Sequence, residues 1–348
     1  MRIVVTGASG NVGTSLVRAL AADDRVLDIV GLARRRPAWT ADKLAWVQGD
    51  VADAPLESLF AGADAVIHLA WLIQPSRDQA VTHRANVEGS QRVFEAAAAA
   101  GAGALVHASS VGAYSPGPKD RAVDESWPTG GVESSFYSRH KVAAERALDR
   151  IEREHPALRV VRLRPGLIFK GEAGTEVRRL FAGPFLPSPL VRPRMLRVVP
   201  RISRLVFQGV HSADVAEAYR LAALEPAARG AYNVAADPVI DPGVLARELG
   251  ALQLPLHAGA VRALTDLTWR LRLQPTPPGW LDMARAVPVM SSDRIRGELG
   301  WSPRHTALEA LRELLEGMAD GRGLDTPPLQ RRGRGEEIAG GVGDRNPA

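Results

Sequence analysis

Arg2-Ile3-Val4-Val5-Thr6-Gly7-Ala8-Ser9-Gly10-Asn11-Val12-Gly13 is the stretch that decides the fold. Ile3–Thr6 reads as a short strand, and Val12–Ala22 as the helix that follows it. Between them, three glycines stand at set positions. Gly7 permits a tight turn, Gly10 lets backbone approach a pyrophosphate, and Gly13 lets the helix pack closely on the strand. The helix N-terminus adds unpaired N–H groups and the positive end of its dipole. In a chain with 33 glycines the spacing alone would be a weak signal. Its place between a strand and a helix makes it a strong one.

Working outward, the first 170 residues alternate β-rich runs with helical stretches. Val26–Ala33, Ala45–Gln48, Ala65–Leu69, Leu105–Ala108 and Arg159–Leu163 read as strands. Asp78–Ala100 and Glu133–Arg153 read as helices, the first ended by Gly101 and the second by His155-Pro156. Such an alternation predicts an α/β fold, a Rossmann-type doubly wound parallel sheet. Beyond Gly171 a run of prolines breaks regular structure. Short elements resume at Asp214–Leu224 and Ala231–Ala235, with a last helix over Thr306–Met318. The expected organisation is a dinucleotide-binding core over 1–170, with later segments able to return to it, then a smaller substrate-binding lobe over 171–320. Residues 321–348 are Gly/Arg/Pro/Glu-rich, so a disordered tail is expected there.

Composition removes several classes. The chain has 348 residues, 45% hydrophobic and 24% charged, which is ordinary for a globular protein. It has no cysteine, so disulfides, thiolate metal sites and cysteine nucleophiles are excluded. The net charge of +5 is modest, and no zinc-finger spacing or basic-aromatic motif accompanies it. No nucleic-acid partner is therefore expected. No apolar window is long enough for a membrane span, and the N-terminus lacks a secretory pattern, so a soluble cytoplasmic protein is expected.

Chemistry enters with Phe136-Tyr137-Ser138-Arg139-His140-Lys141 at the start of a predicted helix. Four residues make about one helical turn, which puts the Tyr137 hydroxyl and the Lys141 ammonium on one face. A positioned ammonium lowers a phenol's pKa and suits it to proton transfer. Upstream, His107-Ala108-Ser109-Ser110-Val111-Gly112-Ala113-Tyr114 follows the fifth strand, where a doubly wound fold places its crevice.

The glycine turn, this serine segment and the Tyr137/Lys141 pair together resemble the extended short-chain dehydrogenase/reductase superfamily, in its NAD-dependent epimerase/dehydratase branch. The resemblance covers about residues 1–318. Its register implies Ser110 rather than Ser109 as the catalytic serine, beside Tyr137 as proton donor or acceptor and Lys141 as a ligand of the nicotinamide ribose. It implies a cofactor cradle of Gly7, Ser9, Gly10, Asn11, Val12 and Gly13, with Asp50 and Val51 at the adenine. Leu69 and Ala70, after His68, and Pro165, within Arg164-Pro165-Gly166-Leu167, would line the nicotinamide end. Asn86 would support the site. A homodimer through the helices carrying Asn86 and Tyr137 is also implied.

The expected cofactor is NAD(P). The end of the second strand reads Gly31-Leu32-Ala33-Arg34-Arg35-Arg36, with no acid to accept ribose hydroxyls and three arginines. Guanidinium groups bind a 2′-phosphate that a carboxylate would repel, so NADP(H) is expected over NAD(H), with Arg34 and Arg35 as contacts.

The expected activity is hydride transfer at a secondary alcohol or ketone. Two alternatives remain open: a nucleotide-sugar epimerase or dehydratase with transient oxidation, and a non-catalytic NAD(P)-binding regulator. The resemblance implies an Asn at the position of Leu167 in nucleotide-sugar epimerases and dehydratases, so Leu167 is more similar to the reductase members and favours an apolar alcohol or ketone. Against it, Val177–Ala213 holds no Asp or Glu and seven arginines (178, 179, 192, 194, 197, 201 and 204), a cationic mouth for an anionic substrate or a basic surface for solvent or membrane. The histidines show no metal-ligand spacing, and no metal is expected.

Overall fold

Runs such as Ile3-Val4-Val5 and Ala65-Val66-Ile67 are apolar at every position because their strands are covered on both faces. The computed structural model describes all residues except 187, 332–333, 340 and 345–348, and for 189 and 334 the backbone alone. Seven parallel strands form the main sheet: β1 (Arg2–Thr6), β2 (Asp28–Ala33), β3 (Leu44–Gln48), β4 (Ala65–His68), β5 (Ala104–Ala108), β6 (Arg159–Pro165) and β7 (Gly230–Val234). Their order is β7-β6-β5-β4-β1-β2-β3. The winding direction reverses between β1 and β4, which opens a crevice at their C-terminal ends. Thr6 lies opposite His68 in that register.

Helices α1 (Asn11–Ala21), α2 (Gly89–Ala99) and α3 (Phe136–Glu154) connect the early strands, and one apolar core lies on each side of the sheet. The helix expected over Asp78–Ala100 is not continuous. A π-turn at Arg84–Glu88 separates Gln79–His83 from α2. The wider turn coincides with the buried Asn86, whose amide is drawn inward to the backbone of Leu72.

Later segments do return to the core. The helix α4 (Ser212–Leu224) packs beside α1, where Ser15 and Ser212 share a hydrogen bond of 2.9 Å, and β7 extends the sheet beside β6. The rest of the segment expected to form the lobe lies between and after these elements. Trp301 is buried against the core and donates to the Asp214 carbonyl at 2.8 Å.

The expectation of a disordered tail is not met over 321–331. Leu329 and Thr326 are fully buried, and the Trp39 amide donates to the Asp325 carbonyl at 3.1 Å. The physical reason lies in Arg178 and Arg179, two buried cations that need acceptors. Arg179 donates to the Pro328 carbonyl at 2.6 Å, and Arg178 forms a buried ion pair with Glu337. Hydrogen bonds to the body hold a segment too polar to order itself. Residues 332–333, 340 and 345–348 of the expected tail lie outside the described residues. No described helix is long and apolar enough to cross a membrane.

One buried group makes stability sensitive to acid. His68 sits between the Thr6 and Ser90 hydroxyls at 2.7 and 2.9 Å, and burial, with help from the Lys141 charge, pushes its pKa down to about 3. The unfolded chain binds this proton near 6.5, so between those values it holds more protons than the native state and stability falls as pH falls. Urea denaturation from pH 6.5 to 5 is expected to show a loss of about 2 kcal/mol from this group. His68→Asn should remove that part of the slope.

Candidate active site

The site starts from how closely the glycine turn meets its neighbours. Gly7 has φ +71°, and a Cβ there would lie 2.6 Å from the Ala70 amide nitrogen. A Cβ on Gly13 would stand 2.6 Å from the Ala8 carbonyl carbon. At Gly10 the only neighbour within 4 Å would be the Gly7 carbonyl at 3.5 Å, so this face of the turn stays open. Gly10 is also the N-cap of α1 and no side chain caps the helix. Its first N–H groups are thus left for a ligand.

A cleft runs from this turn across the sheet. Of the sequence-predicted cofactor residues, Gly7, Ser9, Gly10, Arg34, Arg35, Asp50, Val51, Leu69 and Ala70 line it. Asn11, Val12 and Gly13 lie just behind, at the start of α1, and Pro165 is buried at the end of β6. The Asp50 carboxylate accepts from the Ala52 amide at 2.9 Å and so shapes its own turn. Asn86 lies behind the cleft wall, its amide clamping both backbone groups of Leu72 at 2.7 and 2.8 Å. Two orphaned polar atoms mark the region: Trp71 Nε1 and Asn11 Oδ1 are buried without partners among the described residues. Open helix amides, a cradle that only glycine fits, an unspent donor on Trp71 and an unspent acceptor on Asn11 suit a dinucleotide.

The catalytic candidates lie behind Trp71, a residue of the cleft wall, and do not themselves line the cleft. Ser110 follows β5, and its hydroxyl accepts from the Gly112 amide at 3.0 Å. Ser135 caps α3, fixing Tyr137 in the first turn and Lys141 in the next. Tyr137 packs beside Gly112, and its ring lies 4.8 Å from Trp280 and 6.0 Å from Trp71. Burial pushes the phenol up to about 12, opposed by a hydrogen bond with Ser110. This corrects the simple expectation that Lys141 lowers it. The ammonium donates instead to the Ala108 carbonyl at 2.6 Å and lies 3.4 Å from the Trp71 ring centre, and burial holds its pKa well below the usual lysine value.

Beneath them is a buried charge network. Arg164 forks onto Glu145 at 2.6 and 2.8 Å and reaches the Tyr114 hydroxyl at 3.0 Å. Ser109 donates to the same Glu145, which gives the second serine a structural place. Glu145 stays ionised because the Arg164 hydrogen bonds and charge outweigh burial.

Sequence reasoning missed several lining groups. Trp71 stands directly after His68-Leu69-Ala70, so its position was available in that segment. Pro327 and Pro328 reach the cleft from the tail, while Trp280 packs on the Tyr137 ring and Phe181 on Trp280; no local pattern announces them. The seven arginines do not form one cationic mouth. Arg178 and Arg179 are spent inside, Arg192 pairs with Asp320, and Arg204 donates to the Gly117 and Arg285 carbonyls.

The Rossmann core with its glycine-turn cleft is the fold of the short-chain dehydrogenase/reductase superfamily. The model of the NAD-dependent epimerase/dehydratase family matches residues 3–182, and the chain belongs to that family. An uncharacterized protein of Mycobacterium tuberculosis is 27% identical over 315 residues, 90% of this chain but 29% of that protein's length. A 4-hydroxy-2-methyl-3-oxo-4-farnesyl-3,4-dihydroquinoline-1-oxide ketoreductase of Stigmatella aurantiaca is 28% identical over 340 residues, covering 90% of this chain and 96% of the relative. A UDP-glucose 4-epimerase of Mycolicibacterium smegmatis is 35% identical over 156 residues, 42% and 49% of the two chains. Among solved structures, the Thermus thermophilus UDP-glucose 4-epimerase complex with NAD superposes with a TM-score of 0.67 at 25% identity, over 92% of this chain and 99% of that one.

The buried pair gives a stability prediction. Glu145→Ala strands the Arg164 charge and should cost about 3–5 kcal/mol. Chemical denaturation of the variant checks it.

Proposed function

We propose that the protein is an NAD(P)-dependent oxidoreductase that moves a hydride at a secondary alcohol or ketone, with Tyr137 as general acid/base. The observation that carries this reading is the meeting of Ser110, Tyr137 and Lys141 behind Trp71, which lines the glycine-turn cleft and whose ring centre lies 3.4 Å from the Lys141 ammonium. A protein that only sensed a dinucleotide would need the cleft and not these proton-handling groups. The nicotinamide, when bound, supplies or accepts the hydride. Ser110 holds the reacting oxygen by its hydroxyl. In the reducing direction Tyr137 gives that oxygen a proton, and in the oxidising direction it takes one back. A phenol pushed up to about 12 keeps its proton at neutral pH and so is in the protonated form that the reducing direction needs. Lys141, held by the Ala108 carbonyl beside Trp71, is positioned to bind the ribose hydroxyls. Asn86 holds the Trp71–Leu72 backbone that forms the wall.

The substrate best suited to this end of the cleft is an apolar ketone. Trp71 and Trp280 flank the Tyr137 ring, and Leu167, 45% exposed, stands in the segment after β6. The ketoreductase relative, whose name carries a farnesyl group, aligns over nearly its whole length and supports the same class. The UDP-glucose 4-epimerase relative favours a second reading, epimerisation through a transient ketone, at about half that relative's length.

For the cofactor we propose NADP(H). Ala33 ends β2 without an acid, and Arg34 and Arg35 line the adenosine side of the cleft. Solved relatives such as the Thermus epimerase hold NAD, so the preference rests on these residues alone.

Two measurements test the proposal. A panel of apolar ketones and sugar nucleotides should reveal a turnover that Tyr137→Phe lowers by about 100-fold or more while dinucleotide affinity is retained. Undiminished turnover in that variant refutes the mechanism. Arg34→Ser/Arg35→Ser should weaken NADPH binding by at least about tenfold and leave NADH unchanged; tighter wild-type binding of NADH than NADPH refutes the cofactor assignment.

A further inference from the structure

One side chain separates the candidate catalytic cluster from the cleft. Trp71 lines the cleft, and Ser110, Tyr137 and Lys141 do not. The Lys141 Nζ lies 3.4 Å from the centre of the Trp71 ring, a distance that only an approach over the indole face allows. Nζ donates to the Ala108 carbonyl at 2.6 Å, and Lys141 is 2% exposed. The Tyr137 ring packs on the same indole, 6.0 Å between centres and at 75°. A lysine covered in this way presents no N–H to the cleft. Binding a ribose hydroxyl takes a donor within about 3.2 Å of the acceptor, and the indole stands in the way of that approach.

The backbone carrying Trp71 is fixed on both sides. Before it, Ala70 lies against Gly7, where a Cβ would come within 2.6 Å of the Ala70 amide nitrogen. After it, Leu72 is held through both its N–H and its carbonyl by the Asn86 amide, at 2.7 and 2.8 Å. The indole is not held in this way: its Nε1 is buried without a partner among the described residues. A buried N–H without an acceptor is costly, and turning the ring towards the cleft returns it to water or to a ligand oxygen. Fixed neighbours and an unbonded ring confine movement to the side chain's own torsions, between staggered rotamers.

We propose, resting on the dinucleotide reading above, that Trp71 is a gate: its indole closes Lys141 off from the cleft, and its rotation lets the ribose hydroxyls replace the ring as the partner of Nζ. A dinucleotide in the cleft favours the open rotamer, because only that rotamer gives its hydroxyls the lysine donor. Occupation of the glycine turn and exposure of Lys141 are thereby coupled through one side chain.

Amine labelling of the full chain without dinucleotide, read by mass spectrometry, tests the cover. The chain has four lysines, so Lys43, Lys119 and Lys170 report on folding in the same sample. Trp71→Ala is expected to speed labelling of Lys141 by at least about tenfold, and Trp71→Phe, which keeps a ring, by less, with the other three lysines unchanged. Calorimetric titration with NADPH and NADH tests the opening. Lys141→Met should weaken the tighter-binding dinucleotide by at least about tenfold. Equal labelling of Lys141 in wild type and Trp71→Ala overturns the proposal. Faster labelling in Trp71→Ala with an affinity untouched by Lys141→Met overturns it too, for Trp71 is then a permanent wall while the dinucleotide site stands. Failure of the wild type to bind either dinucleotide refutes the cofactor reading, and the gate with it.

Discussion

The rest of the structure depends on a clearance at the N-terminal turn. Gly7 and the Leu69–Ala70 backbone approach so closely that any β-carbon would collide, and Gly13 has the same relation to Ala8. These contacts bring the end of β1, the start of α1 and the end of β4 to one place. The cleft, its open helix amides and the wall carrying Trp71 follow from that placement. A side chain at Gly7 would force the turn off the Leu69–Ala70 backbone, and one at Gly13 would push α1 off the turn.

Buried charge organises the other end. Arg164 and Glu145 pair under the serine segment, with Ser109, Tyr114 and Asn233 completing the hydrogen bonds. Such a pair contributes little net stability once desolvation is counted, but its fixed geometry holds β5, β6 and α3 in one arrangement. Ser110 and Tyr137 belong to the segments so held. Arg178 and Arg179 do the same for the tail, which their acceptors hold so that Pro327 and Pro328 line the cleft.

Much of this was legible in the sequence because it is local. The strand-turn-helix of residues 2–21 is written in adjacent residues, and the one-turn spacing of Tyr137 and Lys141 survives in α3. What was illegible is long-range. Arg178 finds Glu337 159 residues away, so an acid-free run of arginines looked like a free cationic surface. The tail looked disordered because its composition shows no core, whereas its order comes from hydrogen bonds to partners elsewhere in the chain. The pull of Lys141 on Tyr137 was argued from spacing; burial of both groups and the Ala108 carbonyl beside the ammonium outweigh it. The π-turn at Asn86 serves a contact with Leu72 that helix periodicity cannot show.

The central claim is that a nicotinamide dinucleotide lies between the glycine turn and Lys141, against Trp71. Tryptophan fluorescence titrated with NADPH and NADH tests it most directly. The account predicts a saturable quenching with energy transfer to the reduced nicotinamide, most of which Trp71→Phe removes. Absence of saturable transfer with either dinucleotide, or a response untouched by Trp71→Phe, would contradict it.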